Sequence, residues 1–323
     1  MGFRLIQLRP KSRDGLAWRF WQIGWGGTLG FLAAAPLAIL NVFQAPSLLL
    51  LPFSRRAFRR YNAAAAFCVW GLWVWGIRHL CGFRIDFDGD DVPRGESALV
   101  ISNHQEMADL VPFLTFAQVK GMKNIKAIAK NAIKFVPGLG WGAAFLGFLF
   151  LKRAWSADKL RIQATFERYR AEGVPLWLLI FPEGTRIRAD LLARSNQFAR
   201  KTGVAPTQYV LLPRPRGFVA ATLGLRASVT AVYSLTLGYY ERPPSLFGIL
   251  LGDLPRVYMH VKRYPLSELP QDDDGLTAWL EAEFRRKDEI LARFYERIGR
   301  RDIIKPARPS GKVAASATVA QKE

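Results

Sequence analysis

The chain of 323 residues contains three histidines, and one of them has a spacing that suits acid–base chemistry. His104 is followed five residues later by Asp109, whereas neither His79 nor His260 has an acid at that offset. An aspartate at this distance can accept a hydrogen bond from one imidazole nitrogen, which leaves the other nitrogen free to take a proton from a hydroxyl group. The pair therefore predicts a general base that acts on an alcohol.

The same spacing also has non-catalytic interpretations. An H-x-x-x-x-D pattern also arises by chance, and a histidine after an apolar run is often a hydrogen-bonded core residue. The local context favours chemistry, because residues 97–103 (SALVISN) predict a strand and residues 105–119 predict a helix. His104 then lies at a strand end, where open α/β sheets bind ligands. The pair is the His–Asp half of a serine-protease triad, without an obvious serine nucleophile.

A second group of reactive side chains follows a later predicted strand, in the sequence FPEGTR at residues 181–186. Gly184 permits close approach of the backbone to a ligand. Arg186 offers a planar fork of donors that suits phosphate oxygens, and Glu183 is expected to hold that fork in place. The alternative is a surface turn in which Glu183 and Arg186 form an i,i+3 ion pair.

Short apolar or alternating runs predict the strands that position these groups. Such runs occur at residues 83–89, 97–103, 125–130, 175–186 and 227–239. Helical patterns separate them, and a strongly amphipathic helix is predicted at residues 276–299. Strands that alternate with helices predict an α/β fold.

The N-terminal part of the chain predicts a membrane anchor. Residues 1–19 are basic, and residues 20–54 contain no charged side chain. The densest apolar part, residues 30–53, is long enough to cross a hydrocarbon core. Pro36 and Pro46 interrupt it, so a kinked or re-entrant helix is as well supported as a straight span.

A second uncharged stretch, residues 61–77, carries three tryptophans, a residue type that favours the membrane interface. Buried core helices are the alternative, but two such stretches in tandem are difficult to bury in one soluble domain. A signal peptide is disfavoured, because the first run is too long and no small-residue cleavage site follows it. Basic residues flank both stretches, so the sequence leaves the topology open.

Composition narrows the class of partner. The chain has 46 Lys and Arg against 26 Asp and Glu, a formal charge of +20, and 50% of its residues are hydrophobic. The apolar fraction excludes a disordered chain, and the charge favours nucleic acid, an acidic membrane surface or phosphorylated substrates. No zinc-finger, RNP-like or helix–turn–helix pattern supports nucleic acid. Cys68 and Cys81 form neither a disulfide framework nor a metal-binding spacing, so a reducing compartment is the default.

The two motifs together resemble the glycerolipid acyltransferases, specifically the 1-acylglycerol-3-phosphate (lysophosphatidate) acyltransferase family. That family has an H-x-x-x-x-D motif, a stretch that ends in an arginine, and an E-G-T-R motif in this order. The intervening stretch here is residues 130–153, with Lys130, Pro137, Gly140 and Arg153 at matching places. The sequence LLPRPRGF at 211–218 and the helix at 279–296 recur in one branch of the family. The resemblance covers residues 30–300, and one departure is Lys152 in place of the acid that often precedes the arginine.

The resemblance implies a mixed sheet flanked by helices, with an N-terminal apolar helical anchor, and acyl transfer from acyl-CoA or acyl carrier protein to the free hydroxyl of lysophosphatidic acid or a related lysophospholipid. His104 and Asp109 are the implied catalytic residues. The implied substrate-binding residues are Glu183, Gly184, Thr185, Arg186, Lys130 and Arg153. No metal and no cofactor are expected, and backbone N–H groups near Gly184 are expected to stabilise the oxyanion.

The predicted domains are an anchor at residues 1–80, a catalytic domain at 81–265, a helical segment at 266–305 and a disordered tail at 306–323. The expected partners are the phospholipid bilayer, the two substrates and, for a carrier-bound donor, acyl carrier protein, with no nucleic acid. The expected location is the inner or cytoplasmic membrane, with the catalytic domain facing the cytoplasm. Two alternatives remain, an acyltransferase for another acceptor and a non-catalytic basic protein of the membrane.

Overall fold

The computed structural model describes residues 24, 35, 38–79, 83–136, 139–152, 155–245, 256–300 and 304. The strands are β1 Ile85–Gly89, β2 Ala98–Ser102, β3 Ile125–Lys130, β4 Leu149–Leu151, β5 Trp177–Ile180, β6 Ala231–Tyr239 and β7 Val257–Pro265. The helices are α1 Arg55–His79, α2 Leu110–Val119, α3 Leu139–Phe145, α4 Trp155–Glu172, α5 Ala189–Lys201, α6 Pro215–Leu225 and α7 Asp273–Arg297. Short 3-10 helices lie at Ala45–Leu50, Met107–Asp109, Asn131–Phe135 and Leu266–Glu268.

The strands form one mixed sheet in the order β1-β7-β6-β2-β5-β3-β4. All neighbouring strands are parallel except β6 and β7, which are antiparallel. Strands β2, β5 and β6 are buried along their whole length, which explains why their sequences are almost continuously apolar. The predicted α/β class and the mixed sheet flanked by helices are confirmed.

Helices cover both faces of the sheet, and alternate residues of each strand enter two separate hydrophobic clusters. On one face, Leu99 and Leu178 pack with residues of α4, α6 and α7. On the other face, Val100 and Leu179 pack with residues of α2 and the end of α1. The sheet is therefore buried from both sides, and its strand ends are the places where polar side chains can gather.

The second uncharged stretch lies in helix α1, which packs against α2. Helix α1 begins at Arg55, has three further arginines in its first two turns, and buries Phe58 and Ile77. Among the described residues, no helix is both long and apolar enough to cross a membrane. Residues 61–77 therefore pack partly on the α/β fold, with Leu72 and Trp75 exposed, and their contact with a membrane stays a prediction. Most of residues 20–37 lies outside the described part of the chain, as does the tail at 306–323.

Candidate active site

Three neighbouring strands bring the two motifs to one edge of the sheet. His104 comes two residues after the end of β2, and the FPEGTR turn begins directly after β5. Strands β5 and β6 flank β2 and run parallel to it, so their carboxyl ends meet at the same edge. Tyr239, the last residue of β6, arrives there as well. This edge is the crevice in which α/β sheets bind ligands.

The predicted hydrogen bond between His104 and Asp109 is present. His104 Nδ1 lies 2.9 Å from Asp109 Oδ2, and the Asp109 carboxylate is fully buried. Because a carboxylate oxygen accepts, Nδ1 is the donor in this bond, and in a neutral imidazole Nε2 is then the nitrogen with the lone pair. The imidazole also stacks on the Phe181 ring, with centroids 4.1 Å apart. The ring is therefore fixed by one hydrogen bond and one aromatic face.

Four donors surround the carboxylate of Asp109. In addition to the imidazole, Oδ2 accepts the backbone N–H of Gln105 at 2.7 Å and that of Glu106 at 3.1 Å. The other oxygen, Oδ1, accepts the hydroxyl of Tyr239 at 2.6 Å. Burial and the nearby Asp109 raise the pKa of Tyr239 well above its ordinary value, so this hydroxyl stays protonated and donates.

Glu183 holds the backbone of the histidine loop, residues 103–109, which joins β2 to α2. Its Oε1 accepts the N–H of His104 at 2.7 Å, and its Oε2 accepts the N–H of Leu211 at 3.1 Å. The N–H of Ile187 in turn donates to the carbonyl of His104 at 2.9 Å. The segment from Glu183 to Ile187 therefore clamps both backbone polar groups of the histidine. The Glu183 side chain is only 2% exposed, and burial raises its pKa to about 8.

Arg186 is paired with Glu106, and this corrects the ion pair expected between Arg186 and Glu183. Both oxygens of Glu183 are already bound to backbone N–H groups. The Arg186 guanidinium instead donates to Oε1 of Glu106, while 38% of the arginine side chain stays exposed. The Arg186 guanidinium, predicted to bind phosphate, is thus oriented by Glu106 of the histidine loop, and part of the arginine side chain faces solvent.

The turn at Gly184 has a positive φ of 69°, a conformation that favours glycine. The Gly184 N–H donates to the Phe181 carbonyl at 2.9 Å, so this group is occupied. The N–H groups of Thr185 and Arg186 have no acceptor among the described residues. The backbone N–H groups that are available near Gly184 are therefore those of the next two residues.

The remaining predicted residues lie elsewhere or are not described. Lys130 ends β3, at the same edge of the sheet but two strands away from β2, and its side chain is exposed. Arg153 and Pro137 fall outside the described residues, so the role of Arg153 stays a prediction. In the described part of the chain, no group of three or more His, Cys, Asp or Glu side chains could hold a metal ion.

Several side chains at this edge were not predicted from the sequence. Gln105 lies inside the first motif, and its Nε2 donates to Leu237 O at 2.8 Å. Arg214 is exposed, and its Cδ lies 3.4 Å from where a Cβ would stand on Gly184. The fully buried Lys287 of α7 donates to Ser234 Oγ at 2.5 Å. Burial lowers the pKa of Lys287 to about 8. Gln105 and Arg214 lay in motifs noted from the sequence, beside His104 and in the LLPRPRGF segment, whereas nothing in the sequence pointed to Lys287.

Comparison with known proteins relates the chain to lipid acyltransferases. The Acyltransferase family model matches residues 84–234, and the model for the acyltransferase C-terminus matches residues 248–305. The chain is 30% identical to 1-acyl-sn-glycerol-3-phosphate acyltransferase 2 of Brassica napus over 271 residues, which cover 81% of this chain and 70% of that protein. It is 33% identical to lysocardiolipin acyltransferase 1 of Mus musculus over 263 residues, 79% of this chain and 70% of that protein.

Among solved structures, the 1-acyl-sn-glycerophosphate acyltransferase of Thermotoga maritima matches at a TM-score of 0.47 and 17% identity, covering 84% of this chain and 97% of that one. The assignment rests on the sequence relatives and the two family models, which agree with the resemblance carried by the two motifs. The chain belongs to the 1-acylglycerol-3-phosphate acyltransferase family and is an O-acyltransferase.

Proposed function

We propose that this protein transfers a fatty acyl group from acyl-CoA or acyl carrier protein to the free hydroxyl of lysophosphatidic acid or a related lysophospholipid, in phospholipid biosynthesis. The observation that carries the proposal is the His104–Asp109 hydrogen bond of 2.9 Å at the edge of the sheet, with Nε2 free. A neutral imidazole with a fixed tautomer is the usual general base for an alcohol.

In this mechanism His104 Nε2 takes the proton of the acceptor hydroxyl, and the hydroxyl oxygen attacks the thioester carbonyl carbon. Asp109 stabilises the imidazolium that forms. The backbone N–H groups of Thr185 and Arg186 donate to the oxyanion of the tetrahedral intermediate. Collapse breaks the carbon–sulfur bond, and the imidazolium returns its proton to the departing thiolate. No acyl-enzyme forms, and the scheme uses neither a metal ion nor a cofactor.

The phosphate of the acceptor is proposed to bind at Arg186, with Lys130 and Arg153 contributing charge. Glu106 orients the guanidinium through one hydrogen bond, which leaves the other N–H groups of Arg186 for a second, bidentate partner. Arg214 is an additional candidate, because it is exposed beside the Gly184 turn and has no ion pair among the described residues. A phosphate monoester carries close to two negative charges, so more than one cationic side chain can bind it.

A panel of acceptors tests this function. Purified full-length protein would be incubated with acyl-CoA or acyl carrier protein and lysophosphatidate, lysophosphatidylcholine, monolysocardiolipin or glycerol-3-phosphate. We expect phosphatidate as the main product by mass spectrometry. Replacing Arg186 with alanine is expected to lower kcat/KM for lysophosphatidate by about tenfold to a hundredfold, since a charged contact of this kind contributes about 1.5–3 kcal/mol. The KM for the thioester should change little.

Arg188→Ala is the matched control for Arg186→Ala. Arg188 lies two residues away, is partly exposed, and pairs with Asp190 at 2.8 Å. It should behave like the wild type with every acceptor. Equal losses for donor and acceptor in the Arg186 variant would remove this residue from the phosphate site. Absence of esterified product from all four acceptors would overturn the function itself. A preference for monolysocardiolipin would instead make that lysophospholipid the proposed acceptor.

The protein is further proposed to bind the membrane through its N-terminal helical region, with its catalytic domain on the cytoplasmic face of the inner or cytoplasmic membrane. This region exposes large apolar side chains, including those of Val42, Leu49, Phe53 and Leu72. Phe53 is 88% exposed, and exposed arginines at positions 55, 56 and 60 adjoin it. Apolar side chains bordered by cations suit an acidic lipid surface.

We expect the full-length protein to stay in the membrane pellet through molar salt and alkaline carbonate washing. Surface electrostatics fail under those conditions, because the Debye length falls to about 3 Å in molar salt. Apolar burial is not screened, so it should persist. Fractionation and immunoblotting measure the outcome, with a known peripheral protein as the released control. Clean release by salt alone would show that charge, not apolar burial, holds the protein at the membrane.

A further inference from the structure

We propose that Tyr239 is a positioning residue for the catalytic pair, and that Tyr295 of the C-terminal helix α7 holds it there. The inference rests on the proposed function, because it assigns a role in the reaction attributed to His104. The Tyr239 hydroxyl donates to Asp109 Oδ1 at 2.6 Å, and both side chains are buried. This is the one hydrogen bond that Oδ1 makes among the described residues.

The other oxygen of Asp109 cannot fix the carboxylate alone. Its three donors, His104 Nδ1 and the N–H groups of Gln105 and Glu106, all lie on the short loop that also carries the carboxylate. Glu183 and Ile187 hold the backbone of this loop at His104, but these bonds do not tie the carboxylate of Asp109 itself to the sheet. Tyr239 belongs to strand β6, inside the sheet, and therefore ties the carboxylate to a rigid element. Without the Tyr239 donor, the buried Asp109 Oδ1 would either rotate toward another group or bind a water molecule.

The C-terminal helix secures this end of β6. Tyr295 of α7 accepts the backbone N–H of Tyr239 at 3.4 Å and the Nε2 donor of Gln105 at 3.1 Å. Gln105 and Asn103 both donate to Leu237 O, at 2.8 and 2.9 Å. Side-chain hydrogen bonds thus connect the end of β6 to the histidine loop, and Tyr295 of α7 supplies one of these connections.

This arrangement gives the C-terminal segment a part in catalysis. Helix α7 lies within residues 248–305, the segment matched by the separate C-terminal family model. Its Tyr295 reaches the loop of His104 across 190 positions of sequence. We infer that loss of α7 contacts would loosen the catalytic pair, in addition to exposing the apolar face of the sheet that α7 covers.

The test compares Tyr239→Phe and Tyr295→Phe with Tyr233→Phe in the full-length protein. Tyr233 is the matched control, because it lies on the same strand and the same face, is equally buried, and also donates its hydroxyl to a carboxylate, that of Glu96. All three variants remove one oxygen and keep the ring. A general loss of stability should therefore affect them alike.

We expect Tyr239→Phe to lower kcat about tenfold, the equivalent of about 1.4 kcal/mol, while the acceptor KM stays within about twofold. The acid limb of the kcat/KM profile should move to higher pH, because Asp109 without the Tyr239 donor attracts the imidazolium more strongly. Tyr295→Phe should give a smaller loss of kcat. Glu106, Glu183 and Lys287, the charged groups around the pair, are unchanged in every variant.

A second measurement does not depend on turnover. The chain has only three histidines, so selective ¹⁵N-histidine labelling resolves the His104 Nδ1–H resonance in the substrate-free protein. This resonance should shift in Tyr239→Phe and stay in place in Tyr233→Phe. A wild-type protein inactive on all acceptors would overturn the proposed function and leave this shift intact. Unchanged kcat, pH profile and Nδ1–H resonance in Tyr239→Phe, or equal losses in Tyr233→Phe, would overturn the positioning role.

Discussion

Replacing His104 with alanine is expected to lower kcat for acyl transfer by about 10²–10⁴-fold, the range that a general acid–base group contributes. Without Nε2 the acceptor hydroxyl has no base, and the departing thiolate has no proton donor. The fold should survive, because His104 is clamped through its backbone N–H and carbonyl by Glu183 and Ile187. Steady-state assays with acyl-CoA and lysophosphatidate, alongside a melting curve, measure both effects.

His260→Ala is the matched control for this experiment. His260 also pairs its Nδ1 with an aspartate, Asp88 at 3.1 Å, but it lies on β7 and away from the candidate site. Loss of this pair should leave kcat unchanged. Turnover by His104→Ala at the wild-type rate would exclude His104 as the base. A collapse of thermal stability in that variant would instead show that its imidazole is mainly structural.

The catalytic pair could be predicted because its geometry is local. His104 and Asp109 are five positions apart, and a strand followed by a turn of helix brings such residues together almost independently of the rest of the fold. Strand β3 was predicted at its observed bounds for the same kind of reason, since the short run IKAIAK at residues 125–130 is a local pattern. Strand β7 was missed, although it pairs with both β1 and β6 and makes the sheet mixed.

The partners of the pair could not be predicted, because they depend on the register of distant strands. Tyr239 is 130 positions from Asp109, and Glu183 is 79 positions from His104. The sequence offered a closer partner for Glu183, namely Arg186. That i,i+3 rule applies to helices, whereas the FPEGTR segment is a turn with Gly184 in a left-handed conformation. The backbone N–H groups of His104 and Leu211, which belong to two other segments, donate to the Glu183 carboxylate instead.

This clamp predicts that Glu183→Gln lowers kcat by about a hundredfold, because a displacement of about 1 Å in a reacting group can cost that much. A glutamine amide has one oxygen and one NH₂ group. It can accept one of the two N–H groups, from His104 or from Leu211, but it must turn a donor toward the other. Substrate KM values should change little, since the side chain is buried behind the histidine.

The same variant should alter how stability depends on pH. In the folded protein burial raises the pKa of Glu183 from 4.5 to about 8. Between these values the folded state holds a proton that the unfolded chain has released, so the free energy of unfolding falls as the pH rises through this window. The pKa of Lys287 is lowered from 10.5 to about 8, so the ionisation of Lys287 changes the free energy of unfolding only above about pH 8. Glutamine does not titrate, so Glu183→Gln should lack the decline.

Denaturant titrations of wild type and Glu183→Gln between about pH 5 and pH 8 measure this difference. The wild type should lose more of its unfolding free energy across the interval than the variant does. Glu283→Gln is the control, because Glu283 is also buried but is bonded to the side chains of Tyr264 and Arg286. It should keep the wild-type kcat. Parallel pH curves for wild type and Glu183→Gln would mean that Glu183 is ionised throughout, and an unchanged kcat would mean that the backbone of His104 does not need this clamp.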